Sequence, residues 1–153
     1  KDQDELFRTC VETYIIEPKQ KVLNSVTEDT CVEEMIQAMM QYLNHLKEAL
    51  MTFEHKEINT GNVNSIMFTA YGRFPALHRK AQRLALKEVE LWRKAIYNSQ
   101  RAGIIKRGID VDQIALMFAH IKNSYDSGLG RAQMNFQLLE KTYYALYNLI
   151  KKE

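Results

Sequence analysis

Trp92-Arg93-Lys94-Ala95-Ile96-Tyr97-Asn98-Ser99-Gln100-Arg101-Ala102-Gly103-Ile104-Ile105-Lys106-Arg107-Gly108 runs directly into Ile109-Asp110-Val111-Asp112-Gln113-Ile114-Ala115. The first part has helical spacing up to Gly103, and glycine takes the left-handed conformation that closes a helix without steric cost. Two apolar residues and a basic turn follow. Asp110, with Gln113 three residues on, carries the reciprocal side-chain pattern that opens a new helix. The stretch predicts a long helix, a tight connection and a further helix, and it sets an all-α reading of the whole chain.

Working upstream, Pro75 suits the first turn of the long helix, which spans Pro75 to about Ala102. Ser65 to Tyr71 reads as a short helix stopped by Gly72 and by Pro75, which disfavours helical geometry in the residue before it. The polar run Glu54 to Asn64, with Gly61 inside it, reads as a loop. Thr30 with Glu33 opens a helix to about Phe53, in which Val32, Met35, Ile36, Met39, Leu43, Leu46 and Leu50 share one broad apolar face. Asp2 with Glu5 caps a first helix over residues 1–17 that carries Leu6, Phe7, Cys10, Val11 and Tyr14 and ends at Pro18. Downstream, a helix from Val111 to about Leu129 is broken by Gly128 and Gly130, and the last runs from about Asn135 to Lys152. No segment alternates with period two, so the expectation is one all-α domain of about six helices over residues 1–153.

Composition agrees. A chain of 153 residues, 46% hydrophobic and 26% charged, has the size and balance of a single globular core. The net charge of +2 gives no strong electrostatic case for direct contact with DNA or an anionic membrane. The basic groups Arg79-Lys80 with Arg83 and Lys87, and Lys151-Lys152, read as solvated faces. Cys10 and Cys31 have no C-x-x-C spacing and no secretion signal accompanies them, which favours a reduced, cytoplasmic chain. No apolar run reaches the ~18 residues of a membrane span. His45, His55, His78 and His120 are scattered, with no H-E-x-x-H and no Glu-x-x-His. Nucleophile elbows, Walker loops and Gly-rich dinucleotide turns are missing as well, so neither catalysis nor a metal or cofactor is expected.

One polar residue stands out on the long helix. At 100° per residue, Leu77, Ala81, Leu84, Ala85, Trp92, Ala95 and Ile96 gather on one side, with Lys80, Arg83, Lys87, Glu90, Lys94 and Arg101 opposite. Glu88 falls in the apolar sector, four residues from both Leu84 and Trp92. An inward carboxylate must be paired, protonated or aimed at a ligand, because an isolated buried charge is costly. Two readings follow: a structural pair with Arg73, His78 or a tyrosine hydroxyl, or a polar anchor inside a ligand cavity that favours cationic or donor-bearing guests.

The order of residues from Trp92 to Ala115 resembles the effector-binding domain of the TetR family of bacterial transcriptional repressors, in which a helix ending "aq-x-G-x-I" runs into "d-x-D-x-x-x-x-A". Lys1-Asp2-Gln3-Asp4-Glu5-Leu6-Phe7 is similar to the family's "K-S-K-E-E-L-[LF]" after the recognition helix, with Gln3 where lysine is usual. The resemblance implies a TetR-like C-terminal bundle whose DNA-binding helix-turn-helix would precede residue 1. Operator DNA would then be reached only through that N-terminal domain, and no membrane is involved.

The same resemblance places an effector pocket among the second to fifth helices. There Met35, Met39, Tyr42, Leu43, Met67, Phe68, Tyr71, Phe74, Trp92, Phe118 and Tyr125, with Glu88, form a candidate lining for a small apolar or amphipathic effector; plain core packing is the other reading of this stripe. On the last helix Phe136, Leu139, Tyr143, Leu146, Tyr147 and Ile150 make one apolar stripe, which Leu138, Ala145 and Leu149 carry around the helix. The helix before it has Ile114, Phe118, Ile121 and Tyr125 on one face and Leu116, Ala119, His120 and Asn123 on a smaller second one. Leu116, His120, Asn123, Leu138, Ala145 and Leu149 are therefore the candidate homodimer interface, an intermolecular four-helix bundle, unless one chain buries them completely. Beside this ligand-binding and dimerisation domain stand a helical protein-interaction module without a small ligand and, more remotely, a metal-free helical enzyme.

Overall fold

Asp2 starts the first helix, its carboxylate accepting from Asp4 N–H at 3.4 Å. A computed structural model describes the backbone of residues 2–53, 60–128 and 136–153, and the side chains of residues 2–49, 65–122 and 136–153. The helical segments are α1 (Gln3–Val11), a π-helical turn (Glu12–Ile16), α2 (Glu17–Ser25), α3 (Val32–Phe53), α4 (Thr60–Arg73), α5 (Pro75–Arg101), α6 (Val111–Gly128) and α7 (Phe136–Ile150). Among the described residues everything else is turn or irregular apart from one isolated antiparallel bridge, Ile105 with Lys151. The class is all-α.

The expected stop at Pro18 is overturned: α1, the π turn and α2 follow one another without a break as one rod. A proline lacks the N–H and crowds the carbonyl four residues back. The π turn widens the helix just ahead of it, with Glu17 N–H bonded to Glu12 C=O, five residues back, and Pro18 sits in the first turn of α2. The start of α3 also shifts by one residue from the expected Thr30 and Glu33 pattern. Thr30 Oγ1 accepts from Thr27 N–H at 3.0 Å, and Cys31 N–H donates to Glu34 Oε2 at 2.8 Å. Residues 60–64, expected in a loop, open α4 instead.

α5 has 27 residues, about 40 Å at 1.5 Å per residue. It closes as expected: Gly103 has φ +75°, Gly103 N–H reaches Gln100 C=O at 3.1 Å and Ile104 N–H reaches Ser99 C=O at 2.9 Å. Asp110 then opens α6, accepting from Gln113 N–H at 3.1 Å. The connection is tied to the end of α7, where Lys106 N–H donates to Ile150 C=O and Lys152 N–H to Ile104 C=O.

α5 packs chiefly on α6 and also meets α2, α3 and α4, while α7 packs on α3 and α6. The core joins Val32, Met35, Ile36, Met39, Leu43 and Leu46 of α3 to Leu77, Leu84, Trp92, Ala95 and Ile96 of α5, and to Phe118, Leu139 and Tyr143. Ala85 departs from the helical-wheel expectation and is exposed. Leu50 lies outside the residues whose side chains are described.

Candidate functional site

Helical periodicity brings most of the expected lining together. Met35, Met39, Tyr42 and Leu43 of α3, Trp92 of α5 and Phe118 of α6 are all fully buried in one cluster. Trp92 stacks on Phe118 with centroids 4.5 Å apart and planes 11° apart. Tyr143 of α7 completes the group, 5.9 Å from Trp92 and 6.4 Å from Phe118, in near-parallel planes. Sequence periodicity puts Tyr143 in the core, yet nothing in it marks the residue as part of this stack.

The α4 residues are spread more widely. Met67 and Tyr71 are half-buried, and Tyr71 stacks on His78 with centroids 5.3 Å apart. Phe74 is half-buried and meets Phe7 of α1 at 6.1 Å. Phe68 is 75% exposed and points away from the cluster. It lies one position from Met67, and the 100° step between adjacent helical residues carries it off the packed side. Tyr125 and Asn123 lie outside the residues whose side chains are described.

Glu88 does face inward, at 4% exposure. Its partner is none of those expected. Lys19 Nζ, from α2, stands 2.6 Å from Glu88 Oε2, with the lysine side chain 20% exposed. Arg73 pairs with Asp4 at 3.4 Å instead. The π turn that carries the helix past Pro18 is what delivers Lys19 to this position.

Two buried polar atoms near this ion pair have no hydrogen-bond partner among the described residues, Trp92 Nε1 and Tyr143 Oη. Burial, and then the negative charge of Glu88, push the Tyr143 phenol well above its ordinary range. Burial and the neighbouring Tyr42 raise Tyr71 to about 12. The stack thus holds one neutral phenol, Tyr143, close to a compensated carboxylate.

Two surface hollows have other linings. An open groove of about 370 Å³ between α3 and α7 is bordered by Gln37, Met40, Asn44, His45, Glu140 and Tyr144. Another, of about 490 Å³, lies beside Tyr97, Gln100, Arg101 and Arg107. Neither contains a residue of the expected effector lining. Among the described residues no group of three or more His, Cys, Asp or Glu side chains could hold a metal ion, and no helix is long and apolar enough to cross a membrane.

The expected second face of α6 and α7 is open in the single chain. Leu116, His120, Leu138, Ala145 and Leu149 are exposed, Leu149 at 72%, and Met117 joins them. Ala119, expected on that face, is buried between α6 and its neighbours. The inner stripe of α7, from Leu139 through Tyr143, Leu146 and Tyr147 to Ile150, is buried. No protein-family model, curated protein or solved structure matches this chain.

Proposed function

We propose that this chain is the ligand-binding and dimerisation domain of a TetR-like transcriptional regulator acting in the cytoplasm. The observation that carries the reading is the Lys19–Glu88 ion pair, which joins the rod formed by α1 and α2 to the long helix beside the buried aromatic stack. In this proposal a small apolar or amphipathic effector enters the core and binds better to one placement of that rod against α5. The rod leads back toward a DNA-binding head, so operator affinity changes by the ligand's differential affinity for the two placements. DNA is contacted only through the head, in keeping with a net charge of +2 on this part.

The exposed row of Leu116, Met117, Leu138 and Leu149 supports a homodimer, in which α6 and α7 of two copies form a four-helix bundle. The same row favours a second reading, a helical protein-interaction module without a small ligand. The residues encoded before Lys1 separate the two. A helix-turn-helix ending in an aromatic pair supports the regulator, and its absence overturns it. Light scattering tests the dimer: Leu138→Asp with Leu149→Asp is expected to convert a dimeric mass to a monomeric one, since the new charges would have to be buried unpaired. A wild-type chain that is monomeric at high concentration sinks the dimer.

A further inference from the structure

Lys19 already occupies the place beside Glu88 that a cationic ligand would take, with its ammonium 2.6 Å from the carboxylate. The buried groups still without a described partner are Trp92 Nε1 and Tyr143 Oη. An indole N–H can only donate, and a phenol kept neutral has its proton to donate. The two rings are 5.9 Å apart and within 18° of parallel. Helical side chains lean toward the N-terminus of their helix, which carries Trp92 over the turn of α5 that bears Glu88. A buried donor with no acceptor forfeits its hydration without return, and here two of them come from different helices onto one stack.

We propose that Trp92 Nε1 and Tyr143 Oη form an acceptor-binding site, and that the effector is a neutral molecule bearing a carbonyl or similar oxygen. The inference rests on the reading of this core as ligand-binding, and it reverses the preference for cations that Glu88 alone suggests. Neutrality follows from the ion pair. A ligand carboxylate would add negative charge beside Glu88 in a medium of low dielectric, and a ligand cation would compete with a lysine tethered in place. Phe118 already covers a face of Trp92 at 4.5 Å, so an acceptor meets the ring edges, where the in-plane indole N–H and phenol O–H point. Met35 and Met39, buried in the same cluster, have flexible thioethers that repack around a guest.

Three probes of matched shape test this by calorimetric titration and thermal shift on the wild-type chain: acetophenone, α-methylstyrene, which lacks the oxygen, and the benzamidinium cation. Acetophenone is expected to bind at least about tenfold more tightly than α-methylstyrene, with no shift from benzamidinium. Tyr143→Phe is expected to remove most of that preference and to leave the unliganded melting temperature unchanged or raised, because the deleted hydroxyl has no described partner. Trp92→Phe, which keeps an aromatic ring, provides the second variant and is expected to weaken acetophenone alone. Equal binding of acetophenone and α-methylstyrene overturns the acceptor site while leaving a ligand cavity standing. Preferred binding of benzamidinium returns the anchor to Glu88 and overturns it, as does the failure of all three probes. A lowered melting temperature in Tyr143→Phe, with no change in probe preference, means that water serves the hydroxyl within the fold and also overturns the proposal. None of these results depends on the residues before Lys1, so the failure of the regulator reading is recognised separately.

Discussion

Both halves of α5 bury apolar side chains, Leu77 and Leu84 in the first and Trp92, Ala95 and Ile96 in the second, but their further contacts differ. Along the N-terminal half, charged and polar side chains reach the rod of α1 and α2: Lys80 to Glu12 at 2.7 Å, Lys87 to Asn24 at 2.5 Å and Glu88 to Lys19 at 2.6 Å. Along the C-terminal half, Trp92 is stacked in the core, Ala95 and Ile96 are buried, and the Ser99 hydroxyl accepts from Val32 N–H at 3.0 Å. Asn98 also donates to the carbonyls of Glu28 and Thr30, which holds the connection between α2 and α3. Lys80 with Glu12 and Lys87 with Asn24 have partly exposed ends, where water replaces a lost partner, and in the third contact only the lysine end is partly exposed, Glu88 being buried. The apolar contacts of the second half, and Ser99 with the buried Val32 N–H, leave a cavity or an unpaired group when lost. The rod also buries Val11, Ile15, Ile16, Val22 and Leu23 in the common core, so the difference lies in the polar contacts: those between the α1–α2 rod and α5 are expected to yield first, against a frame formed by the α3 start and the α6–α7 pair.

The largest effect is expected in the frame. Trp92→Ala removes the central ring of the aromatic stack and is expected to cost about 3–5 kcal/mol in urea denaturation. A loss of only about 1 kcal/mol would mean that the stack is loosely packed, and the comparison between the halves would collapse.

The ion pair comes next because it is the most buried contact of the movable half. Lys19→Met strands the Glu88 carboxylate, which is 4% exposed, whereas Glu88→Gln leaves an ammonium that is 20% exposed and can turn to water. Breaking a fully buried pair costs about 3–5 kcal/mol, and partial exposure of Lys19 brings the expectation for Lys19→Met down to about 2 kcal/mol. Glu88→Gln is expected to cost about 1 kcal/mol, and Lys19→Met with Glu88→Leu to lie within about 1 kcal/mol of wild type. If Glu88→Gln proves the more damaging of the single changes, the carboxylate has a further role in the fold and this half is not the loosely tied one.

How much of this is legible in the sequence depends on whether the cause is local. Gly103, Asp110 and Pro75 act within a turn of themselves, and the ends of α5 and the start of α6 follow from them. Glu88 is placed inward by angular spacing alone. Its partner is not legible, because Pro18 by its own chemistry predicts a helix end and so removes Lys19 from the helical pattern. Only the π turn, a property of the folded backbone, restores it. Thr30 is the better capping residue by type, but its hydroxyl is taken by Thr27 N–H, a contact that periodicity does not report. Gly61 lowers the helical signal of residues 60–64, which nevertheless open α4. For Tyr143 the pattern gives the side of the helix but says nothing of its hydroxyl, so the donor pair at the core of the candidate site is a property of the folded chain alone.

A third test returns to the frame at a single hydrogen bond. Ser99→Ala leaves Val32 N–H, at the first residue of α3, buried without its acceptor. The expected cost is about 1–2 kcal/mol, with faster hydrogen exchange at Val32 than at the amides of the next turn. Unchanged exchange at Val32 would show that the two helices are not tied at this point.

The smallest effect is expected at Lys80. Its ammonium and the Glu12 carboxylate are 2.7 Å apart, with side chains 29% and 34% exposed, and Glu12 opens the π turn. Pairs this accessible contribute about 0–1 kcal/mol, because solvent screens them and two long side chains must be ordered to form them. A double-mutant cycle of Lys80→Ala and Glu12→Gln is therefore expected to give a coupling of roughly 0.5 kcal/mol at low salt. The coupling should vanish near 1 M salt, where the screening length falls to about 3 Å. A coupling of about 2 kcal/mol that persists in salt would place this contact in the same class as Ser99 with Val32. The rod would then be fixed at its π turn as firmly as the frame is fixed at α3, and a ligand could not shift it at the cost assumed for the proposed regulator.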